Sequence, residues 1–110
     1  MTKQAFTGNE RATERYSDEK IAWVRYHDTR VVLYDKLMEV VTLDTGGYPT
    51  ASTKRRMNQA FAWLELPLYV YQSRYTWYVS DTERSKVFRY TEQRFVYDLI
   101  RREAVNSAHV

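Results

Sequence analysis

The chain has 110 residues and a formal net charge of +3, with 44% hydrophobic and 28% charged residues. These values predict one domain with a single modest core, and they are ordinary for a soluble globular protein. The absence of cysteine excludes disulfides and thiolate metal sites and favours a reducing cytosol. No apolar run approaches the roughly 20 residues that a membrane-spanning helix needs, and residues 1–10 lack the apolar core of a secretory signal. We therefore expect no membrane partner.

The positive charge is concentrated in the middle of the chain. Residues 45–80 contain four basic residues and one acidic residue, whereas residues 1–44 contain seven and eight, and residues 81–110 contain six and five. Twelve of the seventeen basic residues are Arg, and ten residues are Tyr. Both types are enriched at surfaces that recognise protein or nucleic acid. A β-rich chain that uses Tyr as a strand former explains the Tyr content slightly better.

A three-stranded meander is predicted in the first half of the chain. Residues 1–19 are polar and without periodicity, which predicts a flexible arm with an optional short strand at 10–16. Strand-like alternation follows in residues 21–27, 30–34 and 38–44. Because the links between these strands are too short for crossover connections, we expect them to pair antiparallel.

The sharpest change of direction is predicted at Gly46 and Gly47, where a strand gives way to a helix. Thr50 is the expected N-cap of this helix, with Ser52 as the alternative, because a hydroxyl oxygen accepts a free N–H of the first turn. An apolar stripe at helical spacing follows. Its members are Met57, Ala60, Phe61 and Leu64. The helix should end before Pro67.

The second half of the chain predicts a hairpin, a short strand and another helix. Strands at 68–72 and 75–79 flank the turn at Ser73-Arg74, and 86–90 forms the short strand. Residues 92–104 predict a second helix that Thr91 caps. The apolar stripe of that helix is Phe95, Val96, Leu99 and Ile100.

These elements predict an α+β fold. It consists of a small antiparallel β-sheet of about five strands, from the meander and the hairpin, with two α-helices, the first packed on one sheet face. A single domain would occupy residues 20–104. The arm at 1–19 precedes it, and a frayed tail at 105–110 follows it.

Several segments resemble a group of small proteins from tailed bacteriophages. The shared pattern is a histidine-containing strand end, a Thr-Gly-Gly-aromatic turn, a Thr-x-Ser/Thr-Thr-Lys-x-Arg-apolar-Asn helix start and a Gln…Trp-Tyr-Val hairpin. The matching residues are Tyr26-His27-Asp28-Thr29, Asp44-Thr45-Gly46-Gly47-Tyr48, Thr50-Ala51-Ser52-Thr53-Lys54-Arg55-Arg56-Met57-Asn58, and Gln72 with Trp77-Tyr78-Val79. The resemblance covers about residues 21–80, has Tyr48 where Trp is expected, and does not include the second helix. It implies a phage-encoded protein with a small mixed fold, and no activity or functional residue follows from it.

Three consecutive basic residues, Lys54, Arg55 and Arg56, fall in the first helical turn or just beyond it. Cations there oppose the helix dipole at a cost of roughly a few tenths of a kcal/mol each. A phosphate backbone would offset this cost, because each neutralised phosphate releases counterions. Arg74 at the hairpin tip is a fourth candidate for such contacts. The alternative is that the triplet is only a solvated face, and the two interpretations are about equal.

The aromatic residues of the hairpin are a second candidate for recognition. They are Tyr69, Tyr71, Tyr75, Trp77 and Tyr78. Exposed rings would stack on bases, although one face of the hairpin must cover the core. Catalysis finds little support, because His27 and His109 are the only histidines and no residues have metal-ligand spacing. We expect no enzyme activity, no cofactor and no metal.

The sequence therefore favours a non-enzymatic phage accessory protein that binds DNA, RNA or another anionic surface through Lys54, Arg55, Arg56 and Arg74. A protein-binding module is nearly as well supported: an inhibitor of a host or defence factor, or a minor virion component, with a homo-oligomer as a further option. The expected location is the host cytoplasm or the virion.

Overall fold

The computed structural model describes residues 13–107, which form nine strands and one helix. In chain order these are β1 (Thr13–Ser17), β2 (Ile21–Tyr26), β3 (Thr29–Asp35), β4 (Val40–Asp44), α1 (Ala51–Leu64), β5 (Leu68–Ser73), β6 (Thr76–Asp81), β7 (Lys86–Tyr90), β8 (Arg94–Asp98) and β9 (Glu103–Ala104). All paired strands run antiparallel. One sheet has six strands in the order β1-β2-β3-β4-β8-β9, and the other has three in the order β5-β6-β7.

The predicted α+β fold with two helices and about five strands is wrong, because the described chain is mostly β with one helix. The error lies in residues 92–104, where the structure has β8, a turn and β9 instead of a second helix. Phe95 and Tyr97 are buried, whereas Arg94 before them and Val96 between them are more exposed. Burial therefore alternates with a period of two, as in a strand. The helix was predicted because the spacing of Phe95, Val96 and Leu99 also fits a period near 3.6.

A long-range pairing decides the conformation of residues 94–98. β8 pairs along the whole of β4, with Thr42 opposite Val96 and Leu43 opposite Phe95. Without β8, the described part of β4 would present unpaired backbone N–H and C=O groups along this edge. A helix at 92–104 would pair only its own backbone N–H and C=O groups and would leave those of β4 unpaired. The strand conformation is therefore favoured.

The predicted meander is confirmed as β2, β3 and β4, and it contains a β-bulge. Val24 lies opposite Val32, but Arg25 lies opposite Arg30, so Val31 has no direct partner. The bulge allows Val31 and Val32 to be buried together, which strict alternation does not permit.

The core lies between the inner face of the six-stranded sheet and a second layer made of α1 and the three-stranded sheet. α1 packs against β2, β3 and β5. Phe88 of β7 makes edge contacts with the rings of Phe95 and Tyr97 in β8 and joins the two sheets directly. The predicted helical stripe is confirmed, with Met57, Ala60 and Phe61 buried and Leu64 packed at the margin.

The turn between β4 and α1 has the backbone geometry that its glycines predict. Gly46 and Gly47 have φ values of +67° and +87°, which favour glycine. A Cβ on Gly46 would lie 2.2 Å from Oγ1 of Thr29, whereas a Cβ on Gly47 would meet nothing within 4 Å. Thr50 is the N-cap, as predicted: its Oγ1 accepts a 3.2 Å hydrogen bond from the backbone N–H of Thr53.

Asp44 ties this turn to β8. Its carboxylate accepts hydrogen bonds from the backbone N–H of Gly46 and from the side chains of Gln93 and Arg94. Burial raises the pKa of Asp44, but these hydrogen bonds outweigh burial and leave the pKa below its ordinary value. The turn is therefore held on both sides, by Thr29 and by β8.

Gly46→Ala should destabilise the protein more than Gly47→Ala. Both variants place a Cβ in a left-handed conformation, at a cost of about 1–2 kcal/mol. Gly46→Ala adds a clash with Thr29, worth about 1–3 kcal/mol more. Urea unfolding midpoints measure the difference, and equal midpoints for the two variants would contradict the steric role of Gly46.

A polar cluster joins β6, β8 and the turn after β8. Asp81 is fully buried and accepts a 2.6 Å hydrogen bond from the hydroxyl of Tyr97. The guanidinium of Arg102 donates to Asp81 at 3.1 Å and to Glu83 at 2.8 Å. Burial raises the pKa of Asp81, but the hydrogen bonds from Tyr97 and Arg102 lower it further, and the net pKa is below the ordinary value.

Tyr97→Phe should weaken the protein and reduce its sensitivity to acid. Because the folded pKa of Asp81 is lowered, its contribution is fully present above the unfolded pKa and is lost as the pH falls through the folded value. Removal of a hydrogen bond to a charged group should cost about 1.5–3 kcal/mol near pH 7. The check is the free energy of unfolding between pH 3 and pH 7. Tyr34→Phe is the matched control, since the hydroxyl of Tyr34 has no hydrogen-bond partner among residues 13–107; equal acid sensitivity in both variants would refute the role of Tyr97.

The two predicted terminal segments lie only partly within the described residues. Residues 1–12 and 108–110 are outside them. Within the predicted arm, β1 pairs along β2 from Thr13 to Ser17. Within the predicted tail, Asn106 donates to the carbonyl of Arg94, and Ser107 donates to the carbonyl of Arg89.

Candidate nucleic-acid interface

The basic triplet of α1 is divided between two sides of the helix. Arg55 is exposed, Lys54 is partly exposed, and Arg56 is buried. Nζ of Lys54 donates to the side-chain oxygen of Gln72 at 3.2 Å and lies 5.3 Å from the ring centroid of Trp77. Lys54 and Arg55 therefore face the β5–β6 hairpin.

Arg56 lies on the other side and has internal partners. Its Nε donates to the hydroxyl of Thr13 at 2.8 Å, and its Nη1 donates to Gln59 at 3.2 Å. The guanidinium carbon lies 5.2 Å from the ring centroid of Tyr26. These contacts join α1 to β1 and β2, so Arg56 contributes to the packing of the helix on the sheet.

Arg74 occupies the tip of the hairpin, as predicted, but the turn is Arg74-Tyr75 and not Ser73-Arg74. Both residues have positive φ, +51° and +69°, as a type I′ turn requires. Asn and Gly are preferred there, and a bulky residue with positive φ is unusual. The side chain of Tyr75 is 96% exposed. The hairpin thus presents a cation and an aromatic ring to solvent at a strained turn.

The outward face of the three-stranded sheet is rich in tyrosine. Tyr71, Tyr78 and Arg89 lie side by side across β5, β6 and β7, and the rings of Tyr71 and Tyr78 stack with centroids 5.4 Å apart. Tyr69 is on the same face and is 51% exposed. We call the surface formed by Tyr69, Tyr71, Tyr78 and Arg89 the tyrosine face. Its opposite side carries Val70, Trp77, Val79, Phe88 and Tyr90, which belong to the core.

One face of the hairpin covers the core, as expected, but most of the hairpin aromatics lie outside the core. Trp77 is buried, whereas Tyr69 and Tyr75 are exposed. Arg89 was missed, although a signal was available. Phe88 and Tyr90 alternate with Arg89 in β7, and a period of two places Arg89 on the outward face.

A groove of about 530 Å³ separates α1 from β5. Lys54 and Arg55 line its helix side, and Tyr69 and Tyr71 line its strand side. Asn58 closes its floor: its Nδ2 donates to the carbonyl of Val70 at 2.8 Å, and its Oδ1 accepts from the N–H of Val70 at 2.7 Å. Asn58 thereby anchors the helix to β5.

Acidic side chains are scarce around this groove. From residue 45 to residue 80, Glu65 is the only acidic residue, and it lies at the C-terminal end of α1. Lys54, Arg55 and Arg74 belong to the same segment, and Gln72, which Lys54 contacts, lies two residues before Arg74. The groove and the hairpin tip carry positive charge and exposed aromatic rings beside the tyrosine face, and Glu92 lines the cleft at the tip.

A second aromatic and basic cluster lies on the outward face of the six-stranded sheet. The rings of Tyr16 and Trp23 stack with centroids 5.7 Å apart, and the guanidinium carbon of Arg30 lies 4.7 Å from the ring centroid of Trp23. Arg25 is also near Trp23 but forms an ion pair with Glu14. Nearby carboxylates therefore neutralise part of this cluster, unlike the groove.

Two classes of site are absent from the described part of the chain. Across residues 13–107, no three His, Asp or Glu side chains are placed to hold a metal ion. No helix in that range is long and apolar enough to cross a membrane.

The comparisons with known proteins identify a phage family. A family model described as Kyanoviridae Gp96 protein matches residues 2–101, which is most of the chain. No curated protein and no solved structure matches this chain. The family match confirms the phage origin that the sequence motifs implied, and its description names no activity. The chain belongs to the Kyanoviridae Gp96 protein family, a family of tailed-phage proteins.

Proposed function

We propose that this phage protein binds single-stranded nucleic acid on the tyrosine face and the adjoining groove. The observation that carries the proposal is the combination of three outward tyrosines in neighbouring register positions with four basic residues, beside a groove whose lining, among the described residues, contains no carboxylate. The tyrosines are Tyr69, Tyr71 and Tyr78. The basic residues are Lys54, Arg55, Arg74 and Arg89.

The aromatic rings favour a single strand over a duplex. Bases of a single strand are free to unstack and to lie on aromatic side chains, which contributes about 1–3 kcal/mol per base. A duplex hides the faces of its bases, so the exposed ring of Tyr69 and the stacked rings of Tyr71 and Tyr78 would gain little from it. An open antiparallel sheet with outward aromatics is a platform of the required shape.

The basic residues would contact the phosphates and set the salt dependence. Each phosphate contact to a single strand contributes about −0.7 to the slope of log K against log salt. Contacts from Lys54, Arg55, Arg74 and Arg89 therefore predict a slope of about −3. We do not include Arg56, which was predicted to share this role, because it is buried and donates to Thr13 and Gln59.

Fluorescence anisotropy with a labelled oligothymidylate tests the proposal. Tyr69→Ala should weaken binding by about tenfold, because one stacked base is lost. Arg74→Ala should reduce the salt slope by about 0.7. Tyr16→Ala and Arg101→Ala are matched controls, since both side chains are exposed on the six-stranded sheet or its turns. No binding at low salt, or equal losses in the controls, would remove the proposal.

A protein-binding function is the second candidate, and a different surface supports it. Leu37, Met38 and Ile100 are 69%, 63% and 66% exposed. They lie in adjacent turns, because the N–H of Leu99 donates to the carbonyl of Glu39 at 2.9 Å. Exposed apolar side chains that cluster in this way are typical of protein contact sites.

If this second function holds, Leu37→Glu combined with Ile100→Glu should abolish capture of a stoichiometric partner from host lysate. A charge in the centre of an apolar contact is costly to bury. The measurement is a pull-down with the full chain, and Tyr69→Ala serves as the control that keeps the apolar surface. Unchanged capture by the double variant, or a monomeric sizing profile with no captured partner, would exclude this surface as a docking site.

A further inference from the structure

Three of the sequence motifs meet around one pocket that the proposed function leaves unused. The pocket has a volume of about 620 Å³ and lies between the β2–β3 turn, the glycine turn and the start of α1. It is lined by Tyr26, His27, Asp28, Val31, Tyr48 and Ser52, among others. We call it the His27 pocket.

The walls of the His27 pocket are aromatic. Tyr48 is 73% exposed, and the imidazole of His27 is also exposed. The rings of Tyr26 and His27 lie 4.3 Å apart, tilted by 48°. The guanidinium of Arg56 lies against the Tyr26 ring and supports it. The pocket therefore offers a planar ligand several ring faces.

Several polar groups of the pocket are not used within the described fold. The hydroxyl of Ser52 and the carboxylate of Asp28 have no hydrogen-bond partner among residues 13–107. His27 holds a positive φ of +56° that places it at the tip of its turn. Free donors and acceptors beside aromatic walls suit a planar ligand that has both an apolar face and a hydrogen-bonding edge.

A third depression lies between the His27 pocket and the groove beside α1. The groove shares Gln72 with a cleft of about 480 Å³ at the hairpin tip, and that cleft shares Thr45 with the His27 pocket. The three depressions follow one another around the beginning of α1. A strand that leaves the groove past Arg74 would pass this cleft, whose lining includes Glu92, before it reached the pocket.

We propose that the His27 pocket takes one unstacked nucleobase of the bound strand, held against the rings of Tyr48 and His27. The inference rests on the proposed single-strand binding and adds a base-specific position to it. The groove and the tyrosine face would hold the backbone and the stacked bases. The pocket would hold a base by its face and its polar edge, as single-stranded recognition commonly does.

NMR titrations of the full chain distinguish binding of the base from binding of the phosphate. Backbone amide shifts are followed during titration with adenosine monophosphate and, in parallel, with ribose 5-phosphate, which lacks the base. Adenosine monophosphate should shift the amides of residues 26–29, 48 and 50–53, and ribose 5-phosphate should not. Tyr48→Ala should weaken the binding of adenosine monophosphate by about tenfold, since one stacking partner is lost.

The fold should tolerate these variants. Within residues 13–107 the hydrogen bonds of Tyr48 come from its backbone, whose carbonyl accepts from the hydroxyl of Thr53, and its side chain is mostly exposed. His27→Asn is the second variant, because Asn accepts positive φ and removes the ring. Tyr16→Ala is the matched control, an exposed tyrosine on the other sheet face. It should leave the nucleotide affinity unchanged.

The other outcomes distinguish a failure of the base pocket from a failure of single-strand binding. Equal shifts with ribose 5-phosphate would overturn the base pocket in favour of an anion. In a second outcome, adenosine monophosphate causes no shift, but an oligothymidylate of eight nucleotides shifts amides of residues 69–78. This result would overturn the base pocket and leave single-strand binding intact. No oligonucleotide binding at low salt would overturn the proposed function and, with it, the inference that the pocket serves a bound strand.

Discussion

The two hydrogen bonds between Asn58 and Val70 fix the relation between the helix and the small sheet. β5 is an edge strand, and the outward N–H and C=O of Val70 would otherwise remain unpaired within the described fold. The side-chain amide satisfies both groups at once, as a neighbouring strand would. This contact sets the separation of α1 from β5, so the groove with Lys54 and Tyr71 on its sides depends on it.

The unusual charges at the start of α1 have separate explanations. Its first turn contains no acidic residue, and helix dipole arguments alone disfavour three cations there. Arg56 is compensated inside the protein by Thr13, Gln59 and the ring of Tyr26. Lys54 and Arg55 face outward towards the hairpin, where an anionic partner would compensate them. A run of like residues in a sequence can therefore serve packing and recognition at the same time.

Most of the local structure follows from the sequence, and the candidate site follows in part. The glycine turn, the Thr50 cap and the apolar stripe of α1 depend on contacts within a few residues, so the pattern was sufficient. Arg74 was placed correctly at the hairpin tip for the same reason. The alternation within β7 places Arg89 outward, but its position beside Tyr78 depends on the strand register between β6 and β7, which no local pattern specifies.

The sequence by itself determined the meander, the turn at Gly46, the helix near the middle and the positive charge around it. Only the tertiary structure decided the conformation of residues 92–104. Arg94 to Asp98 have apolar positions compatible with a helix or a strand, and the free edge of β4 selects the strand by hydrogen-bonding to it. The tertiary structure also decided which cations are accessible, because the burial of Arg56 comes from β1 and β2, more than 25 residues away along the chain. Local patterns describe what a segment prefers, and burial and pairing with distant segments decide what it adopts.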